Sequence, residues 1–294
     1  MASQRDIKRR IKSIKSTAQI TKALQMVAAA RMRQAQRRVE ESRPYSEHIR
    51  DIVADVAGKS GTDAHPLLAQ RDVKNVALVH ITPDRGLAGG LPTNVNREAQ
   101  RLVQETSQPV RVIVVGRKGR ALARRLRWNI AEEFTDIGDR PRAEDAHPVA
   151  RRILEDYESG VVDRVYMVYT EFVSTMRQNA KRVQLLPVLP PEQESESAEE
   201  GGLSGPWDYE PDNPEQVLSA LLPRYVEFSI YHAMLESVAS FQSAQMIAMS
   251  AATDAANDLV KELSLEANKA RQAEITKEIA EISGAAEAIT AASA

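Results

Sequence analysis

The sequence predicts an α/β fold: a long antiparallel coiled coil of the N- and C-terminal helices plus a Rossmann-like α/β domain of mainly parallel strands. Three observations carry this prediction. The C-terminal stretch 214–289 is almost free of helix breakers, the first fifty residues repeat an apolar residue every four and three positions, and strands alternate with helices between them.

The C-terminal helix begins with Asn213 as N-cap, Pro214 at the first helical position and Gln216 placed to return a capping bond. Beyond Pro223 no proline or glycine occurs before Gly284, which allows about 90 Å of α-helix. That is longer than a compact domain accommodates, so the helix is expected to project from the body. Its apolar residues Leu235, Val238, Met249, Ala252, Ala256, Leu259 and Leu263 form a seam, with Gln242 and Gln245 between its two halves. The seam is rich in alanine and needs a partner helix.

The N-terminal helix supplies it. Ile7, Ile11, Ile14, Ala18, Thr21, Gln25, Ala28, Met32, Ala35 and Val39 repeat the four-three alternation, with Pro44 expected to kink the later part. Residues 1–50 hold thirteen Lys/Arg against four Asp/Glu, whereas residues 216–294 hold five against ten. A basic helix lying along an acidic one gains from that complementarity. If both leave the body near Gly58 and Asn213 they run antiparallel, and paired positions sum to about 271. Residues beyond about 270 then have no intrachain partner, although Ile275, Ile279 and Ile282 still form an apolar stripe. Such a tip either frays in solvent or is enclosed by another protein.

Between the helices, 73–81 reads as a buried strand, the loop 82–90 leads to a helix over 94–105, and 110–115 is a second strand ended by Gly116. A basic helix follows over 117–127, a short strand over 130–134 and a helix over 143–159. Strands over 161–172 and 181–189 lack an intervening helix and are expected to pair antiparallel. Residues 190–206, rich in Glu, Ser and Gly, read as an acidic mobile loop, with Trp207 and Tyr209 anchoring the chain beyond it. The domains expected are therefore 1–58, 70–212 and 213–294.

Composition excludes several chemistries. The chain has no cysteine, so disulfides, thiol catalysis and cysteine-ligated zinc are absent. His48, His65, His80, His147 and His232 show no metal-ligand spacing. No run of 18 apolar residues spans a membrane, and the charged N-terminus lacks the apolar core of a signal peptide and reads as coiled coil rather than as a transit peptide. Asp84-Arg85-Gly86-Leu87-Ala88-Gly89-Gly90 sits where phosphate cradles sit, between strand and helix. It lacks both the Lys-Ser/Thr ending of a P-loop and the dinucleotide glycine spacing, and Gly116-Arg117-Lys118-Gly119 fails likewise. No cofactor, metal or catalytic residue is expected. The basic first helix raises nucleic-acid binding, but its apolar seam is intrachain and stacking aromatics are missing.

Specific motifs go further. Ile20-Thr21-Lys22-Ala23-Leu24-Gln25-Met26-Val27-Ala28-Ala29 with Arg31-Met32, then Arg43-Pro44-Tyr45, then the loop 84–90 with Thr93-Asn94, then Trp207-Asp208-Tyr209 occur in order along the chain. Asn268-Lys269-Ala270-Arg271-Gln272-Ala273, Ile275-Thr276 and Glu278-Ile279 complete the series. The whole chain thus resembles the gamma subunits of F-type ATP synthases, in their bacterial form. Leu24 stands where methionine is common there, and Ala88 where cysteine is common.

The resemblance implies a central rotor shaft that couples ion-driven rotation of the membrane c-ring to conformational change at the catalytic beta subunits. The implied partners are the alpha and beta subunits, epsilon and the c-ring, with no nucleic acid and no membrane insertion. The chain would then sit peripherally at the cytoplasmic face of a bacterial plasma membrane. It implies that Arg271, Gln272, Thr276, Glu278, Lys22, Leu24 and Met26 contact the beta catch loops, with the two helices sharing one contact zone. Ile275, Ile279 and Ile282 would lie in the sleeve of the ring, and Arg85, Leu87 and Ala88 against the lower face of the catalytic subunits. The competing reading is an α/β nucleotide-binding regulator with a coiled-coil tether.

The acidic loop yields a direct test. Deletion of residues 194–202 should leave the chain soluble, with an unchanged circular dichroism spectrum and thermal midpoint. Loss of soluble folding would refute the loop assignment.

Overall fold

A run of six buried residues, Val76–Ile81, forms the middle strand of the body, β1. The computed structural model describes residues 4–60, 65–189 and 214–292. The acidic segment 190–206, Trp207, Tyr209 and Asn213 lie outside them, as do the expectations placed on those residues. In chain order the elements are α1 (Gln4–Ser60), β1, α2 (Leu91–Glu105), β2 (Val110–Val115), α3 (Arg117–Arg125), β3 (Asn129–Phe134), α4 (Ala143–Glu158), β4 (Arg164–Ser174), β5 (Arg177–Leu186) and α5 (Pro214–Ala292). By contacts the chain divides into a smaller unit, Met1–Val27 with Met246–Ala294, and a larger one, Ala28–Gln245.

In the larger unit the sheet order is β3-β2-β1-β4-β5. The first four strands are parallel and β5 is antiparallel to β4. The chain builds outward from β1 through β2 to β3 and then crosses to β4 on the other side of β1. Right-handed crossovers therefore place α2 and α3 on one face and α4 on the other. The two buried faces of β1 follow this division. Leu78 packs with Val95, Ala99, Leu102 and Ala123 of α2 and α3. Ala77, Val79 and Ile81 belong to the larger cluster with Val149 and Ile153 of α4 and with Leu218, Leu222, Val226 and Ile230 of α5. Burial on both faces explains the near-continuous apolar character of β1.

Element boundaries differ from expectation by a few residues. β1 starts at Val76 because Lys74 and Asn75 donate backbone N–H groups to the carboxylate of Asp163 instead of joining the ladder. β5 begins at Arg177, directly after the turn that ends β4, so the hairpin is tighter than the residues suggest. Helix α1 runs through Pro44, and α5 starts before Pro223 and continues through it and past Gly284.

In the smaller unit the heptad pattern of α1 is recovered: Ile7 and Ala18 are buried, and Ile11, Ile14, Thr21 and Gln25 are half-buried between exposed neighbours. On α5 the phase is corrected. The inward positions are Met249, Thr253, Ala256, Val260, Leu263, Ala267 and Ala270, whereas Leu259 is exposed. Ile7, Leu263 and Ala267 form a buried cluster with Ile11, Ile14 and Ala270 packed on it. The hydroxyls of Thr21 and Thr253 lie 2.7 Å apart. These positions sum to 274, three more than expected.

One core residue has an unusual chemistry. His80, on β1, is fully buried, and neither ring nitrogen has a hydrogen-bond partner among the described residues. Burial lowers its pKa from 6.5 to about 3, so the folded chain holds the ring neutral while the unfolded chain protonates it below its ordinary value. Stability is consequently lost as pH falls from 6.5 towards 3. In His80→Leu the difference in denaturation midpoint between pH 7 and pH 4.5 should shrink; an equal pH dependence in both proteins would refute the assignment.

Candidate partner-binding surface

A helix face that packs against its own chain shows burial at heptad spacing. Beyond Ala270 that pattern stops. All 16 residues from Arg271 to Ala286 are exposed. Ile275, Ile279 and Ile282 remain 47%, 59% and 71% exposed and recur at the four-three spacing of one helix face. Arg271, Gln272, Thr276 and Glu278 are exposed beside them. The Thr276 hydroxyl donates to the Gln272 backbone carbonyl at 2.9 Å, and the Gln272 residue is itself exposed.

On α1, Lys22 and Met26 are exposed and Leu24 is half-buried. The expectation that they share one zone with the tip is corrected. Thr21 faces Thr253, so residues 22–26 lie beside the part of α5 near position 250, roughly 30 Å of helix away from Arg271–Glu278. They instead adjoin Ile20 and Val27, which are 58% and 47% exposed. Sequence reading passed over these two because they fall outside the seam. The available signal was their spacing of seven, which makes a second apolar stripe on the same helix.

The glycine-rich loop in the larger unit is organised by its own chain. Leu87 adopts a left-handed backbone (φ 66°) and its side chain is 64% exposed. Arg85 is exposed and pairs with Asp139 at 3.4 Å, and Asp139 also receives Arg31 of α1. Ala88 is only 1% exposed, so it supports the loop from below and presents no surface to a partner. This removes Ala88 from the expected contact set and leaves Arg85 and Leu87.

Beside this loop lies a cavity of about 370 Å³ at the C-terminal ends of β1 and β2, lined in part by Thr82, Asp84, Arg117, Asp136, Val238 and Phe241. Doubly wound sheets often bind nucleotides there, with phosphate on the N–H groups of the next helix. Here those donors are engaged. Arg117 N–H donates to Asp84 Oδ1 at 2.9 Å, Lys118 N–H to the Pro83 carbonyl at 3.2 Å, and Gly119 N–H to Thr82 Oγ1 at 2.8 Å. Arg117 is also hydrogen-bonded to Asp136 and holds that carboxyl below its ordinary pKa. Gly116 is required in this turn: its φ is 94° and a Cβ would stand 1.9 Å from the Thr82 carbonyl oxygen. A carboxylate of the chain thus fills the place of a phosphate.

A second constellation looks catalytic and is not. Ser42 Oγ lies 2.9 Å from His232 Nδ1, and His232 Nε2 lies 3.6 Å from Glu236 Oε1. The Ser42 hydroxyl is also engaged with the Val39 carbonyl of its own helix at 2.8 Å and is buried there, so it is placed as a structural link rather than as a nucleophile. The arrangement joins α1 to α5 inside the larger unit. No group of three His, Cys, Asp or Glu residues that could hold a metal occurs among the described residues.

Comparison with known proteins identifies the relatives of this arrangement. Residues 3–289 match a family model described as ATP synthase. The ATP synthase gamma chain of Dehalococcoides mccartyi strain CBDB1 is 48% identical over 291 residues, covering 98% of this chain and 100% of the relative. Those of Pelotomaculum thermopropionicum and Roseiflexus castenholzii are 46% and 44% identical over comparable lengths. Among solved structures, a chain of the Euglena gracilis mitochondrial ATP synthase OSCP/F1/c-ring assembly aligns with a TM-score of 0.65 at 20% identity, covering 98% of this chain and 95% of that one. A chain of the Tetrahymena thermophila central stalk and c-ring aligns with a TM-score of 0.59 at 24% identity, covering 79% of this chain. At these identities the structural matches speak for the fold.

The internal capping of α3 is testable. Asp84→Ala should destabilise the isolated chain by about 0.5–2 kcal/mol, the range for a lost helix cap, and Asp84→Asn by less. Equal denaturation midpoints for wild type and Asp84→Ala would show that the carboxylate does not hold the helix start.

Proposed function

This chain belongs to the family of ATP synthase gamma chains, and on that premise we propose that it is the central-stalk rotor subunit of an F-type ATP synthase. It couples ion-driven rotation of a membrane c-ring to conformational changes at the catalytic beta subunits. The observation that carries the reading is the tip of α5, where an isoleucine stripe stays exposed alongside Arg271, Gln272, Thr276 and Glu278. An apolar stripe on a helix without its own-chain partner face suits enclosure by a surrounding protein surface. The polar residues beside it suit specific hydrogen bonds to that surface.

In this reading the tip sits in the sleeve formed by alpha and beta subunits, and Arg271, Gln272, Thr276 and Glu278 meet the beta catch loops. Lys22, Leu24 and Met26, with Ile20 and Val27, form a separate contact further along the shaft. Arg85 and Leu87 face the lower side of the catalytic subunits, and the α/β domain, 70–212, is the foot that receives epsilon and the c-ring. The segments 1–58 and 213–294 form the shaft. The chain has no catalytic site of its own and needs no cofactor. It is peripheral, at the cytoplasmic face of a bacterial plasma membrane; among the described residues no helix is long and apolar enough to cross a bilayer.

Coupling follows from differential contact. A shaft shifts a conformational equilibrium only if it touches the states differently. Three beta subunits around a shaft whose sides differ in charge and apolarity meet three different surfaces, and rotation exchanges them. The nucleotide-binding alternative is disfavoured by Asp84, the Pro83 carbonyl and Thr82, which between them occupy the first N–H donors of α3 that a phosphate would use.

Arg271→Ala and Gln272→Ala test the tip. Loss of a charge-assisted hydrogen bond of about 1.5–3 kcal/mol should lower ATP turnover of the assembled complex roughly tenfold or more. The thermal midpoint of the isolated chain should not move, because both side chains are exposed. Wild-type turnover in both variants would refute the contact.

A further inference from the structure

We propose that three buried serines, Ser237, Ser240 and Ser243, form a hydrogen-bonded joint between α5 and the sheet that carries torque from the foot to the shaft helix; the proposal rests on the rotor reading. β1 pairs with β4 from Val76–Arg164 as far as His80–Val168, and β4 then continues to Ser174. Thr170, two residues beyond the last pair, presents its N–H and C=O on the edge that β1 has vacated. It is 4% exposed, so these groups need partners. Helix α5 provides them. Thr170 N–H donates to Ser237 Oγ at 3.4 Å, and Ser240 Oγ donates to the Thr170 carbonyl at 3.3 Å.

The third serine extends the joint to the β4–β5 turn. Ser243 Oγ donates to the Thr175 carbonyl at 2.6 Å, and Gln178 Nε2 donates to the same carbonyl at 2.7 Å and lies 3.4 Å from Ser243 Oγ. Ser240 and Ser243 are fully buried and Ser237 is nearly so. Packing alone would be served by alanine at these positions, as it is at Ala233 and Ala239 nearby. A buried hydroxyl is costly unless it is bonded.

The physical distinction is directionality. Apolar contact is non-directional and lets a helix slide or turn against a sheet. Hydrogen bonds weaken steeply when bent or stretched, and three of them at steps of three residues resist both rotation and translation of α5. The joint stands where β4, paired on both sides lower down, depends on the helix for one edge. Load applied to the sheet therefore reaches α5 through fixed points.

The test compares Ser237→Ala/Ser240→Ala/Ser243→Ala with wild type in the complete complex. Its control is Ser264→Ala, whose hydroxyl, among the described residues, bonds the Val260 carbonyl of its own helix. Hydrolysis by the detached catalytic part, where the shaft turns without load, is measured beside ATP-driven ion pumping in vesicles. The expected result is unchanged unloaded hydrolysis with pumping per ATP lowered roughly fivefold, a loss on the scale of one hydrogen bond; the control stays at wild-type values. Unchanged pumping, or a proportional fall in both activities, overturns the proposal. If the triple variant does not assemble, Ser243→Ala alone carries the same comparison. A wild-type complex whose pumping does not depend on this chain overturns the rotor reading, and the joint with it.

Discussion

The pairing of Thr21 with Thr253 is the contact on which the chain's surface depends. Two hydroxyls 2.7 Å apart in a mostly apolar seam set which turn of one helix meets which turn of the other. Once that register is set, Ile7 meets Leu263 and Ala267, and residues from Arg271 onward lie past the inward-facing pattern. A shift by one heptad step would bury a different set of residues and expose another tip. Within the larger unit Ser42 and His232 meet at 2.9 Å and hold α1 against α5 there. Polar contacts in an apolar seam cost stability but choose the register.

The body follows a different rule. A doubly wound sheet places a crevice at the carboxyl ends of its strands, and many proteins use it for nucleotides. This chain keeps the crevice and closes its chemistry from within, through Asp84, Thr82 and the Pro83 carbonyl on the start of α3. The same loop turns Leu87 outward in a left-handed conformation while burying Ala88. An architecture suited to a ligand is thereby left as a rigid support for exposed side chains. Fold and function part company here, as the sharing of folds leads one to expect.

Buried polar groups mark where the elements are fastened rather than merely packed. Ser237, Ser240 and Ser243 complete the open edge of β4. Asp156 is buried between Arg111 and Arg152 at 3.2 and 3.0 Å, tying α4 to the start of β2. His80 fastens nothing: it is a neutral ring near Trp128 with no hydrogen-bond partner among the described residues, and the buried amide of Gln242 on α5 likewise lacks one. The place of His80 on a strand buried on both faces makes its cost depend on pH.

Much was legible in the sequence because periodicity is local. The four-three repeat of α1, the alternation of strands and helices, the antiparallel last pair and the exposed stripe beyond position 270 all follow from spacing alone. So does the failure of the glycine loop to match a phosphate cradle. What needed the tertiary structure was phase, register and orientation. Leu259 looked like a seam residue by hydrophobicity, but contact with α1 turns Val260 inward instead. Met26 and the tip looked like one zone until Thr21 met Thr253. Ala88 looked available until the loop's φ angles placed it underneath. Local sequence determines which helices and strands can form, through steric preference and apolar spacing. Which of their faces turn inward is decided by contacts between residues far apart in the chain, and no local pattern contains that information.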